Sequence, residues 1–203
     1  MVDNRQGIST TRRFAVLADA EMSERQREMV AQFKGFSLNG MRGPFNMMLR
    51  SPEAAERFQA LGKYLRFDTG IDNRLVELMV LVHARIWSDQ YEWMLHAPRA
   101  AEAGLSDDVV ESVKSGRVPD GLSIEERAVF DYVLELELTK TVSDMTFNKA
   151  AAVLGEKMVT DLVFMIGQYI TISMILAVLK EGQDLDILPP CSNPFAGYSA
   201  SAE

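Results

Sequence analysis

The sequence predicts an all-α fold, and three observations predict it. Apolar residues recur at intervals of three and four through most of the chain, Ser or Asp repeatedly stands just ahead of such a run, and no segment alternates with period two between turns. The expected architecture is a single-domain bundle of roughly seven to nine helices.

Residues 1–20 show no sustained period and read as an irregular arm. From Ser23 the run SERQREMVAQF opens with a capping box, Ser23 with Gln26 three residues on, and Met29, Val30 and Phe33 fall at helical spacing. The glycines and prolines of NGMRGPFNMMLRSP mark a turn-rich connection with one short helical piece at Phe45 to Leu49. Ser51 caps a helix with Pro52 at its first position, running to about Arg66 with Ala54, Ala55, Phe58, Leu61, Tyr64 and Leu65 as its buried stripe. Asp72 caps the next, which carries Leu75, Leu78, Met79, Val82 and Ile86 inward to about Trp87. Ser88 or Asp89 caps another that ends at Ala103, where Gly104 supplies a left-handed stop. Ser106 opens a short helix to Lys114 or Ser115. Ser123 opens a long one to about Thr139, with Ala128, Val129, Tyr132, Val133 and Leu136 inward, and Ser143 opens one to Leu154. A long apolar helix over 156–180 closes the fold, and Pro189, Pro190 and Pro194 deny further helix to a tail over 183–203.

Composition excludes several classes of function. A net charge of -8 opposes nucleic acid and anionic lipid, both of which need clustered Lys and Arg, so neither is an expected partner. The single cysteine, Cys191, rules out a disulfide framework or an intrachain dithiol, and no cationic group or second thiol stands near it in sequence. The N-terminus lacks the basic-then-apolar pattern of a secretory signal, so the expected location is cytoplasmic. The stretch LVFMIGQYITISMILAVL, 162–179, approaches the length of a membrane span but carries Gln168, Thr171 and Ser173 with Asp161 abutting it. It reads as a buried core or oligomer-interface helix, and the 47% hydrophobic content with twelve methionines suits a subunit that buries surface on a partner.

Both histidines and both tryptophans lie in the stretch from Arg74 to Gly104. Glu92 and His96, four apart, share a helical face, and their neighbours Tyr91, Trp93, Leu95 and Ala97 leave little of that helix polar; the pair is either a general acid/base unit or an ion pair. Pro98 removes a donor to the Met94 carbonyl, leaving a kink or a free backbone acceptor near the imidazole. Glu77 sits in an apolar run and needs a partner, for which His96, Arg42 and Arg74 are the candidates. His83, six residues on from Glu77, is off that face and reads as a satisfied core histidine. Arg42, within MRGPF, either takes a substrate carboxylate bidentately or ties the loop to a helix end. No HExxH, di-iron Glu-x-x-His or Cys/His cluster occurs, so no metal is expected, and no phosphate-cradling loop or GxSxG is found.

Over roughly residues 40–180 the chain resembles the carboxymuconolactone decarboxylase and alkyl hydroperoxidase D superfamily. Glu77 matches that superfamily's buried Glu, Asp89 and Glu92 stand where its peroxidase branch has Cys-x-x-Cys, and His96 matches the His that comes after them. The segments YEWMLHAPRAAEAGL and APRAAEAGLSDDVVESV carry the likeness further. With no thiol at 89 or 92 the resemblance is to the decarboxylase branch. It implies an all-α, cofactor-free enzyme assembling as a homo-oligomer (dimer, trimer or hexamer) and acting on a small carboxylate or lactone. On that resemblance His96 transfers the proton, Glu92 and Glu77 orient it and set its charge, and Arg42 anchors a carboxylate or oxyanion; Phe45, Trp87, Tyr91 and Tyr169 line the pocket. Isomerisation, lactone hydrolysis or elimination with the same Glu/His machinery, and ligand binding without turnover, are the competing expectations; thiol-dependent peroxide reduction ranks last.

Overall fold

The computed structural model of the chain describes residues 13–34 and 43–198. A short 3-10 turn at Asp19–Glu21 precedes α1 (Glu24–Lys34), α2 (Phe45–Met48) and α3 (Pro52–Lys63), which continues as a π-helical turn at Tyr64–Asp68. Then come α4 (Asn73–Trp87), α5 (Gln90–Glu102), α6 (Asp107–Lys114), α7 (Ile124–Thr139) and α8 (Asp144–Leu179). No strand occurs among the described residues, so the all-α expectation holds.

The caps read from sequence set these boundaries. Asp72 accepts from the Arg74 N–H at 2.8 Å, Asp89 accepts from both Tyr91 and Glu92, and Ser106, Ser123 and Ser143 each accept from a backbone N–H three residues on. Ser88 takes the left-handed conformation with φ 52° and ends α4, so α5 starts at once and folds back against it.

Helix α4 is the axis of the protein. Every residue from Leu75 to Arg85 is buried, because α5, α6, α7 and α8 all pack on it. Leu78, Met79 and Leu81 of α4 share one cluster with Trp93 of α5, Val113 of α6, Phe130 and Leu134 of α7, and Leu162 and Ile166 of α8. Each such side chain contributes about 1.5–3 kcal/mol, and that sum fixes where the ionisable residues of the same helices must stand. A second cluster, Met22, Met29, Met48, Leu49 and Ala55, fastens α1, α2 and α3, with Ile175 of α8 packed against it.

One sequence expectation changes. The buried stripe of the 52–66 helix is narrower than its period implies: Ala55 and Leu65 are buried, but Ala54, Leu61 and Tyr64 are exposed. Tyr64 opens the π turn that follows Lys63, and its ring lies under the Lys157 ammonium, 5.8 Å away. The tail is non-helical, as expected, and is packed against the body of the fold. Leu188 and Phe195 are buried, and the Gln90 amide binds the backbone of Ile187 and Leu188. Helix α8 is interrupted where the sequence places a break, at Gly155, whose backbone (φ 79°, ψ 157°) is non-helical and disfavoured for residues with a Cβ.

By length and composition α8 is able to cross a bilayer, with a stretch of mean hydropathy 2.2. Its inner face, Leu162, Met165, Ile166, Tyr169, Ser173 and Leu176, is buried in the fold, while Val163, Phe164, Met174 and Val178 are exposed on the other.

Candidate active site

Because α5 folds back along α4, His96 comes to rest on Glu77. The Glu77 carboxyl has no solvent exposure, and its Oε2 lies 2.6 Å from His96 Nδ1. Its other oxygen accepts from Arg66 Nη2. Burial alone would raise the Glu77 carboxyl, but hydrogen bonds and charge from His96 and Arg66 outweigh it and hold the acid below its ordinary range. An ionised carboxylate only accepts, so Nδ1 of His96 is the donor.

The second imidazole nitrogen is held differently. Nε2 stands 3.3 Å from Glu92 Oε2, the ion pair anticipated from the i, i+4 spacing, but longer than the contact to Glu77. Burial disfavours the charged ring, yet two carboxylates overcome that and push His96 above the ordinary histidine value. When the ring is charged, its Nδ1 proton is the tightly fixed one and its Nε2 proton the loosely held one.

Tyr169 completes the surround. Its ring meets the imidazole edge-on at 5.5 Å, and its hydroxyl accepts from Arg66 Nη1 at 3.0 Å. Burial pushes the phenol well above its ordinary value, so it stays protonated with its own O–H free to donate. Arg66 thus bridges Glu77 and Tyr169, anchoring both the base of the array and its rim.

His96, Arg66 and Tyr169 open onto a cavity of about 700 Å³, of the size that encloses a small organic molecule. Phe45, Met48, Val76, Met165 and Ile172 give it apolar walls; Arg99, one turn beyond His96, brings a second guanidinium. Gln168 also lines it, with Oε1 buried and without a partner among the described residues, and the absence of a side chain at Gly62 lets the Gln168 amide lie across α3. Among the described residues no group of three or more His, Cys, Asp or Glu is placed to hold a metal ion.

Of the residues picked out in the sequence, His96, Phe45 and Tyr169 reach the cavity, with Glu77 and Glu92 behind His96. Trp87 stands elsewhere: its indole N–H donates to Glu137 at 3.1 Å, beside His83. Tyr91 is packing, wedged between Gly43 and Gly182, where a Cβ would meet it at 2.7 and 3.0 Å. Arg42 lies outside the described residues. Arg74 is not the partner of Glu77, because it pairs with Glu126 at 2.8 Å. His83 is the satisfied core histidine expected, bonded at Nδ1 to Glu137 and at Nε2 to Ser173, whose hydroxyl continues to Asp89. Arg66, Arg99 and Gln168 were missed; Arg66 sits in a π turn that no 3.6-residue period reveals.

The model of the carboxymuconolactone decarboxylase family matches residues 52–135, the segment that holds Arg66, Glu77, Glu92, His96 and Arg99. Through this segment the chain is similar to the carboxymuconolactone decarboxylase family. Among solved structures it is similar to a protein of unknown function from Agrobacterium tumefaciens, described as a candidate antioxidant defence protein AhpD. The two share 20% identity with a TM-score of 0.61, over 69% of this chain and 97% of the other, which establishes an AhpD-like fold. No curated protein matches the chain significantly. The family segment supplies the Arg/Glu/His array, but much of the cavity wall lies outside it: Phe45 and Met48 come from α2, and Met165, Gln168, Tyr169 and Ile172 from α8. At the two positions where the resemblance sets a dithiol, Asp89 caps α5 and Glu92 pairs with His96.

Proposed function

We propose that the chain is a cofactor-free carbon–carbon lyase that decarboxylates a small carboxylated lactone or a related acid of aromatic catabolism. The observation that carries this reading is the single imidazole set between two carboxylates, with its loosely held Nε2 proton at an apolar cavity bearing two guanidiniums. When such a lactone loses CO₂, the C–C electron pair passes through the adjacent double bond into the lactone carbonyl as a dienolate. The protein then has to stabilise that charge and return one proton. Arg99 anchors a substrate carboxylate, the Tyr169 O–H and Arg66 stabilise the oxyanion, and His96 Nε2 protonates the carbon, with Glu77 and Glu92 fixing its orientation and charge. The unpartnered Gln168 Oε1 suits a substrate donor such as a hydroxyl.

The exposed apolar face of α8, with Val163, Phe164, Met174 and Val178, supports assembly as a homo-oligomer, and the net charge of -8 supports a cytoplasmic protein with neither nucleic acid nor membrane as partner. Thiol-dependent peroxide turnover at this site finds no nucleophile, since acids occupy 89 and 92.

The test is turnover of 4-carboxymuconolactone by purified protein beside His96→Ala, the variant first shown to be folded and in the same oligomeric state. Turnover lost in the variant is expected. Absence of turnover in the unmodified protein overturns the substrate, and turnover retained by His96→Ala overturns the role of the imidazole.

A further inference from the structure

The cavity beside His96 is longer than the proposed reaction needs. Its wall on α3 runs from Glu56 to Arg66 in the π turn, about 15 Å of helix at 1.5 Å per residue. A single carboxylated ring, built of bonds near 1.5 Å, spans about half of that. The volume of about 700 Å³ falls within the range, about 300–1,000 Å³, of pockets that enclose drug-sized molecules.

The two ends differ in charge. At the His96 end stand Arg66, Arg99 and, one turn back from Arg66, Lys63; neither Lys63 nor Arg99 has an ion-pair partner among the described residues. On the far side of Gly62 no charge is left over. Among the described residues the only ionic group lining that half is the Glu56 carboxylate, which Arg25 takes at 2.5 Å.

The far half is walled by apolar side chains. Phe45 and Met48 of α2 and Phe58 of α3 pack in the cluster that fastens α1, α2 and α3, and all three also line the cavity. The Gln59 amide nitrogen, 3.9 Å from the Met48 sulfur, sets the level of Met48 about 10 Å short of Arg66 along the helix. Phe45 and Met48 precede the matched family segment, so this end is an addition of the chain's own. Loss of CO₂ and return of a proton at His96 call on none of these three residues.

We propose that the substrate is a carboxylic acid about two rings long: a carboxylated ring held at Arg66, Arg99 and His96, carrying an aryl group or an alkyl chain of equal length that lies against Phe45, Met48 and Phe58. The proposal rests on the reading of His96 as the reacting end and narrows the substrate class. A compact lactone acid leaves the α2–α3 half to water, whereas an apolar extension moves from water onto apolar walls and gains affinity there. That affinity, remote from the reacting carbon, holds the acid end in register with His96 Nε2.

The test is binding of benzoate and of biphenyl-4-carboxylate, two acids that differ by one ring, to the unmodified protein, read by NMR at the His96 ring protons. Reading the site itself sets aside adhesion of the longer acid to the exposed apolar face of α8. Biphenyl-4-carboxylate is expected to bind about tenfold or more tightly, with nuclear Overhauser contacts from its outer ring to the Met48 methyl. Affinities within about twofold of each other, no shift of His96 by biphenyl-4-carboxylate, or an outer ring without contact to Met48 overturns the proposal. Binding of these probes requires no turnover, so the two readings fail separately. A tenfold preference without decarboxylation of any lactone acid removes the reaction and upholds the long site; decarboxylation of 4-carboxymuconolactone without that preference removes the long substrate and upholds the reaction.

Discussion

Replacing Glu77 by Gln keeps the shape of the side chain and removes its charge, so it isolates what the buried carboxylate does. Breaking a buried ion pair from one side costs about 3–5 kcal/mol, because the stranded partner keeps its desolvation penalty. Here two partners are stranded unequally. The Arg66 side chain is 23% exposed and retains the Tyr169 hydroxyl, while His96, 5% exposed, retains Glu92 at 3.3 Å. The cost therefore falls at the lower end, about 3 kcal/mol, out of a total of roughly 5–15 for a domain. In urea, with a slope of about 3 kcal/mol/M, the midpoint should fall by about 1 M at fixed protein concentration and unchanged slope. The pH dependence is set by the directions of the two shifts. Glu77, lowered on folding, contributes stability above the unfolded carboxylate value that is lost as pH falls through its folded value. His96, raised on folding, contributes stability present below its unfolded value near 6.5 and lost as pH rises through its folded value. Glu77→Gln should thus lower the His96 titration midpoint and flatten the decline in stability on the alkaline side. The chain has two histidines, so NMR of the ring protons reads that midpoint directly. A midpoint shift under about 0.3 M in urea, with His96 titrating unchanged, would refute the reasoning.

The same geometry sets the outcome of two further substitutions. His83→Leu removes the bonds to Glu137 and Ser173 and leaves Glu137 with the Trp87 N–H; it should cost about 2–3 kcal/mol by denaturation while leaving the pH profile of turnover in place, and a shifted profile would make His83 part of the chemistry. Arg99→Gln should leave stability within about 0.5 kcal/mol, since Arg99 is only partly buried and has no ion-pair partner among the described residues, but should raise KM for a carboxylated substrate by about tenfold or more; an unchanged KM would remove Arg99 from the binding site.

What the sequence revealed depended on how local the cause was. Caps act over two or three residues, so Asp72, Asp89, Ser106, Ser123 and Ser143 could be read as helix starts and proved to be so. The Glu92/His96 pair lies within one helical turn and was equally visible. That Glu77 needs a partner was legible from its apolar neighbours, but which partner was not. Arg66 approaches from a π turn eleven residues back, and Arg74, nearer in sequence, faces Glu126 instead. Trp87 and Tyr91 flank the α4–α5 turn and are pocket residues on the family resemblance, whereas the structure sets them against Glu137 and against Gly43 and Gly182. Arg85 offered the same signal as Glu77, a charge within an apolar run, but none of its three nitrogens completes a hydrogen bond among the described residues.

The unequal hold on the two imidazole nitrogens separates the proposed reaction from its competitors. A ring protonated at both nitrogens is an acid, and both carboxylates favour that form. An isomerase or eliminating lyase that begins by abstracting a proton needs a base first, and in this array an uncharged His96 is opposed by both Glu77 and Glu92. Loss of CO₂ begins with no proton abstraction; it asks for a cation near the developing oxyanion and for a proton afterwards. Nδ1, bound to Glu77 at 2.6 Å, keeps its proton throughout, so delivery falls to Nε2, whose contact to Glu92 is longer. A rate that falls as pH rises through the His96 titration therefore favours decarboxylation. A rate that rises over the same interval requires the neutral ring as a base and points to proton abstraction instead.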